Sequence, residues 1–385
     1  MLEIESIDEL KEFLEKDLDL SSVVLQGFDV SAASEALYKA NVKGTYFLGC
    51  PMPSKLRLHL EEAGASIFPV FDGLGYNPYR GFLYSAEELY EGLSDGNPES
   101  YFQTPDYKIF SSLDKQRFDR QPEVVSALAQ RLHDHAITDA LFEFLVDCRK
   151  TRKGVIAIMG GHNMKRSDSA FLDVSRLSRT LSRHGYVMVS GGGPGAMEAT
   201  HVGAWFTERP ESEMVEAVKE LAQVAQYDGN HYNWVLQAFK VRSLYPPAPG
   251  SDRHFSLGVP TWLYGDEPAT PFASHIGKYF ANSIREDGLV SIATEGIVFA
   301  PGSVGTIQEV FQDVTQNHYM IGEMASPMVF FGVDYWSSVK PVNPLVAQLA
   351  QGKPWASLVG ICDSVEEVVA FIDDHPPIAK SANFH

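Results

Sequence analysis

Val298-Phe299-Ala300-Pro301-Gly302-Ser303-Val304-Gly305-Thr306-Ile307-Gln308-Glu309 reads as a buried strand, a tight small-residue turn and the start of a helix. Apolar residues lead in, proline and glycine break the pattern, and a polar residue and a carboxylate then open an amphipathic segment. Gly302 and Gly305 let the backbone bend and approach a ligand closely. The first N–H groups of the helix, at the positive end of its dipole, suit an anion such as phosphate. Thr306 adds a hydroxyl, and Glu309 stands about one turn further in. An ordinary helix start with a Thr cap has the same pattern, so this loop alone does not define a site.

A second loop of the same kind changes that balance. From Gly154 onward the chain alternates regularly. Val155 to Met159 is an apolar strand ending in Gly160-Gly161, Ser169 to His184 is an amphipathic helix, and Tyr186 to Val189 is the next strand. Ser190-Gly191-Gly192-Gly193-Pro194-Gly195-Ala196-Met197-Glu198-Ala199 follows, a glycine loop running directly into a helix. It is neither GxGxxG nor GxxxxGK[ST], and no acidic residue stands where a dinucleotide-binding unit holds a ribose. Strands are expected at Phe255 to Val259, Gly296 to Ala300 and Pro327 to Gly332, and a short one near Leu358 to Ile361. Helices are expected at Phe272 to Glu286, Val304 to Tyr319, Val342 to Leu349 and Ser364 to Ile372. Residues 154–385 therefore read as an open, doubly wound parallel sheet covered on both faces. Two glycine loops at carboxyl ends of parallel strands predict one shared crevice.

The rest of the chain bounds the partners. A formal charge of −19 argues against a nucleic-acid or anionic-membrane surface, yet a local nest of N–H groups can still take a small phosphorylated ligand. Cys50, Cys148 and Cys362 are widely spaced with no CxxC pair, as expected of free, mostly buried thiols in a reducing compartment. The acidic N-terminus lacks the apolar core of a signal peptide, and no run is long enough to span a membrane, so a cytoplasmic protein is expected.

Residues 1–70 alternate short helices and strands, a small α/β unit. Phe71 to Tyr84 is aromatic and broken by glycine; it either stacks on a nucleobase or packs against its own domain. Ser85 and Glu88 form a capping box. Residues 96–120 are polar and loop-like, and Pro122 to about Arg149 is helical with a break near His133 to Thr138. His133, Asp134 and His135 are too few ligands for a metal without a partner cluster, and no metal site is expected. A charged stretch at Asp147 to Lys153 divides an N-terminal α/β and helical region, 1–150, from a nucleotide-binding domain, 151–385. Within the latter, residues 207–254 read as an insertion, with a helix at Ser212 to Val224 and an irregular stretch from Asp228 to Arg253. Its Lys240, Arg242 and Arg253 form either a cationic lid or a solvated loop.

An anion site, a carboxylate at Glu309 and a guanidinium at Arg285 suit cleavage of a nucleotide's N-glycosidic bond. Positive charge develops on the ribose, and a carboxylate both stabilises it and orients or deprotonates water. Arg285 could neutralise phosphate, steady Glu309, or simply pair with Glu286 or Asp287. PGSVGTIQE resembles the PGGxGTxxE motif of the LONELY GUY (LOG) family, long labelled lysine decarboxylases. SGGGPGAMEA resembles that family's other glycine loop, in its longer bacterial nucleotide monophosphate nucleosidase form. The resemblance covers about residues 154–335. It implies a Rossmann-like fold, a homodimer or larger assembly, no metal or redox cofactor, and phosphoribohydrolase activity on nucleoside 5′-monophosphates. By position it places the catalytic Glu on Glu309 and the phosphate-binding Gly and Thr on Gly302, Gly305 and Thr306, with Arg285 the nearest match to the catalytic Arg. Ser303, Gly160, Gly161, Gly191, Gly192, Gly193, Gly195 and Met197 complete the expected nucleotide contacts. Ser303 replaces the motif's second glycine, and Gln308 the first of its usual Glu pair. The alternative is a module that binds a nucleotide or nucleotide-like cofactor without turnover. Nothing forms a pyridoxal phosphate site for lysine decarboxylation.

Overall fold

The computed structural model describes residues 1–113, 123–264 and 267–380. Two compact units divide the chain. The first comprises Met1–Leu83 and Ser111–Glu143. Its parallel sheet has the order β1 (Leu2–Ile4), β2 (Val23–Gln26), β3 (Tyr46–Leu48), β4 (Ser66–Phe68). The connections carry α1 (Ile7–Lys16), α2 (Ser34–Leu37) and α3 (Ser54–Glu62). Leu10 and Leu14 of α1 and Leu56 and Leu60 of α3, each pair one helical turn apart, meet Val23, Leu25 and Phe47 in a separate core. The aromatic loop packs on its own unit here. Tyr79 is buried, and a Cβ at Gly49 would fall 2.0 Å from its ring, so Gly49 is there to admit it.

The second unit comprises Tyr84–Phe110 and Phe144–His385. Tyr84–Phe110 holds α4 (Ala86–Leu89), which Ser85 caps by accepting from the Glu88 N–H at 3.1 Å, and all but the last two residues of α5 (Pro105–Ser112). Helical turns over 98–112 thus replace the expected loop as far as residue 112. The remainder of that loop lies outside the described residues from 114 onward, as does Pro122. Next comes α6 (Val124–Cys148), which runs without the break expected near His133 to Thr138. Thr138 lies within the helix, its hydroxyl donating to the Asp134 carbonyl one turn back at 2.8 Å.

Seven parallel strands build the large sheet. In chain order they are β5 (Gly154–Met159), β6 (Tyr186–Ser190), β7 (Ser256–Gly258), β8 (His275–Ile276), β9 (Gly296–Phe299), β11 (Met328–Phe331) and β12 (Val359–Cys362). A separate antiparallel pair joins β10 (Met324–Ala325) to β13 (Ile378–Ala379). The spatial order is β12-β11-β9-β5-β6-β7-β8, so the first strand lies inside the sheet and the chain winds away from it in both directions. Connecting helices are α7 (Ser169–Arg183), α8 (Ala196–Trp205), α9 (Glu211–Leu221), α10 (His231–Leu244), α11 (Asn282–Ser291), α12 (Val304–Tyr319), α13 (Val342–Ala350) and α14 (Val365–Asp374).

β5, β9 and β11 are buried along their whole length, which is why they read as continuous apolar runs. Strand alternation sends their side chains to two layers. Ile156, Ile158, Val298 and Val329 join a core with Phe171, Val174, Leu177 and Leu181 of α7, Val202 of α8 and Val368 of α14. The neighbouring Phe299 and Phe330 stack at 5.4 Å, and Trp336 donates to the Phe299 carbonyl at 2.9 Å. Helices therefore cover both faces, and the unit is a doubly wound, Rossmann-like α/β fold.

Two further expected elements differ. Phe272 to Glu286 is not one helix: residues 275–276 pair with β7 as the edge strand β8, and the helix begins at Asn282. A two-residue edge strand is too short to show a period of its own. Asp228 to Arg253 is not irregular throughout, since α10 occupies its middle. Trp234, Val235, Ala238 and Val241 bury one face of it at helical spacing. Among the described residues no helix is long and apolar enough to cross a membrane.

Candidate functional site

β5 separates β9 from β6, and the chain leaves β5 in opposite directions on either side, so the crevice of the fold opens at the carboxyl ends of these strands. Three loops meet there. The Gly161 N–H donates to the Pro301 carbonyl at 3.1 Å, and the Ala196 N–H donates to the Gly161 carbonyl, also at 3.1 Å. A Cβ on Gly160 would lie 2.6 Å from that of Ala196. Gly195, at φ +72°, packs on the Gly161 carbonyl, 2.3 Å from where its own Cβ would be. These glycines let the loops interlock.

A cavity of about 740 Å³ opens over them. Gly160, Gly161, Gly191, Gly193, Met197, Gly302, Ser303, Gly305, Thr306, Arg285 and Glu309 all line it. Gly192 and Gly195 do not. Gly192, at φ +72°, lies behind the wall against Val259 and Pro260, so its place in the motif serves the turn.

At one end stands the start of α12. Gly302 lies under the Thr306 side chain, with only 2.1 Å between a Cβ there and the Thr306 hydroxyl. Gly305 faces open space. Ser303, the departure from the motif, does not cap the helix with its side chain. Its hydroxyl instead accepts from Lys340 Nζ at 3.0 Å. Lys340 also donates to the Gly302 carbonyl at 3.2 Å, and the Tyr335 hydroxyl donates to the same oxygen. A cation is thereby fixed beside the start of α12. Local sequence gave no sign of it, because Lys340 arrives from the connection after β11.

Deeper in, Arg285 is nearly buried and donates from Nε to the Val259 carbonyl at 2.7 Å. Its Nη2 reaches the Gly191 carbonyl at 3.5 Å, and Nη1 stands 3.7 Å from Glu286 Oε1. A side chain at position 191 would meet Arg285 Nη2 at 2.2 Å and Met197 Sδ at 2.6 Å. Gly191 is therefore glycine to admit the guanidinium. Glu309 is half-buried in the cavity wall. Burial pushes its carboxyl up to about 7, with the negative Glu286 adding to the rise and the Arg285 cation opposing it. Gln308 donates to Glu286 Oε2, so the residue that departs from the motif supplies a donor where a second glutamate would set two carboxylates together.

The walls are held from behind. Ser190 Oγ accepts from the Gly192 N–H at 3.1 Å and lies 2.8 Å from His201 Nε2, whose Nδ1 is 2.9 Å from Ser256 Oγ. Burial pushes His201 down to about 3, so the imidazole is neutral and this chain of groups shapes the loop. Arg166 forms a bidentate ion pair with Glu198 at 2.8 and 2.6 Å beneath the same loop, wholly buried, and its guanidinium lies over the Trp234 ring. The basic residues of the insertion do not enter the cavity. Lys240 pairs with Asp95 at 3.2 Å, Arg242 pairs with Glu87 at 2.8 Å, and Arg253 donates to the Arg183 carbonyl at 3.5 Å. Among the described residues no three His, Cys, Asp or Glu side chains gather as a metal site.

No family model and no curated protein matches the chain. Among solved structures it is similar to the molybdenum cofactor carrier protein of Chlamydomonas reinhardtii. That match has 15% identity and a TM-score of 0.35, over 58% of this chain and 97% of that one. A molybdenum cofactor binding protein of Rippkaea orientalis matches at 14% identity and a TM-score of 0.36, over 58% and 98%. Likenesses at this level carry no argument about activity. The sheet order and its glycine loops stand by themselves: residues 154–380 hold a Rossmann-like fold with one crevice at its switch point.

Proposed function

We propose that the chain hydrolyses the N-glycosidic bond of a nucleoside 5′-monophosphate, as a phosphoribohydrolase of the LOG type. One observation carries the reading: Glu309, with its carboxyl raised to about 7, shares a cavity with Arg285 and with the uncapped start of α12. The N–H groups of α12 and Lys340 receive the phosphate. Water then bonds to C1′ as the C1′–N bond breaks, and the bonding pair leaves with the base. Glu309 takes the proton that the water loses, the departing base gains one from solvent, and the products are free base and ribose 5-phosphate. Before transfer, the ionised carboxylate also stabilises the positive charge that develops on the sugar. A group that titrates near neutrality is matched to proton transfer. Arg285 holds Glu309 by charge and stays anchored to two backbone carbonyls.

Incubation with AMP, GMP, CMP, UMP and isopentenyladenosine monophosphate is expected to release base from at least one. Glu309→Ala is expected to lower release by two orders of magnitude or more while nucleotide still binds. Binding of nucleotide by the unaltered protein with no release from any would make the chain a carrier of nucleotide or nucleotide-like cofactor. Residues 1–150 are assigned to regulation or assembly, and a homodimer or larger assembly follows from the same resemblance; sedimentation at several concentrations tests the latter.

A further inference from the structure

Glu267 belongs to the connection between β7 and β8 and lines the cavity. It lies against the second glycine loop. A Cβ on Gly193 would fall 2.8 Å from Glu267 Oε1 and 3.0 Å from Met197 Cε, so the bare glycine leaves room for the carboxylate. Oε1 is buried and has no hydrogen-bond partner among the described residues. A buried acceptor without a donor carries a desolvation penalty, which is removed when the carboxyl group turns toward the cavity and meets a ligand donor.

Its place in the crevice selects the part of the ligand. The phosphate loop follows β9, and Gly193 follows β6, two strands away, or about 10 Å at the usual spacing. Arg285 borders the Gly193 side of the crevice, on the Gly191 and Val259 carbonyls. A nucleotide with its phosphate on α12 and its C1′ at Glu309 directs its base toward Gly193, whereas its sugar hydroxyls stay nearer the phosphate. We propose that Glu267 reads the nucleobase, accepting a hydrogen bond from an exocyclic amino group and so favouring amino-bearing over oxo-bearing bases. The inference rests on the nucleotide reading above. An oxo group in the same place would set a carbonyl oxygen against the carboxylate, and the neighbouring lactam N–H would reach Glu267 only if the base shifted in the cavity.

AMP with IMP, and CMP with UMP, exchange an amino group for an oxo group and the bare ring nitrogen beside it for a ring N–H. Titration calorimetry of the full chain is expected to show tighter binding of the amino member by at least about tenfold. Glu267→Ala is expected to bring the ratio to within about twofold of unity. Glu267→Gln, whose amide can donate to an oxo group, is expected to move it to or past unity and does so without emptying the site. Equal binding of both pairs by the unaltered protein, or a preference unchanged in both variants, would overturn the proposal. So would a loss of discrimination between AMP and 2′-deoxy-AMP in Glu267→Ala with the base preference intact, which would give Glu267 to the sugar. Base release assayed on the same panel separates the two readings. An amino preference in binding with no release keeps Glu267 and overturns hydrolysis, while release without an amino preference does the reverse.

Discussion

At the scale of single residues, the Glu309 carboxyl is set by three opposing influences: burial and Glu286 push it up, and Arg285 pulls it down. Only the ionised form can take a proton from water, so base release should rise with pH through about 7. Glu286→Gln removes one negative charge while keeping an oxygen for the Gln308 amide. Glu309 then ionises more easily, and the rising limb of the kcat profile should move to lower pH. A limb that stays fixed or moves upward would remove Glu286 from the electrostatics of the site. Gly305 offers a second test. A Cβ there meets nothing within 4 Å, and the residue is helical, so Gly305→Ala should raise stability by about 0.4–1 kcal/mol in urea unfolding. The same methyl enters the cavity at the proposed phosphate site, so KM for the monophosphate should rise. Improved stability with unchanged KM would place the phosphate elsewhere.

At the scale of elements, α12 is tied to α11 along one line of glutamines. Gln308 donates to Glu286, Gln312 to Asp287 at 3.0 Å and Gln316 to Ser291 at 3.0 Å. Spacings of four residues keep all three on one face, so the helix that presents Glu309 and the helix that presents Arg285 are positioned together. The second glycine loop has its own anchor in Arg166 and Glu198. Both are buried, and removing one leaves the other charge without its partner. Arg166→Met should therefore cost about 3–5 kcal/mol in urea unfolding, far more than a surface ion pair. A loss below 1 kcal/mol would mean that water reaches Glu198 once the arginine is gone.

At the scale of the whole molecule, Cys50, Cys148 and Cys362 are free and buried in three different parts of the fold, and burial pushes each thiol up to about 11. Native protein should react with an aromatic disulfide reagent orders of magnitude more slowly than protein in guanidinium, where three thiols should titrate. One fast thiol in native protein would mark a part of the fold that opens. Much of the candidate site was legible because its signals are local. Gly302, Gly305, Thr306 and Glu309 sit within one strand-turn-helix stretch, and helical periodicity sets Glu309 about a turn inside. Lys340 and Glu267 were not legible. Each comes from a distant connection, and the residues around it resemble an ordinary surface loop.

The sequence by itself determined that apolar runs and glycine loops alternate from residue 154 onward, and that the start of α12 presents N–H groups, a hydroxyl and a carboxylate together. Backbone sterics and helical periodicity act over a few residues, so such features survive without their surroundings. Only the tertiary structure decided the order of the strands, which sets the Gly160-Gly161 turn between the other two loops. It alone placed the Arg285 guanidinium on Gly191 and brought Lys340 and Glu267 to the cavity wall. It also raised the Glu309 carboxyl, because burial and the field of neighbouring charges belong to a position in space, and residues far apart in the chain create them.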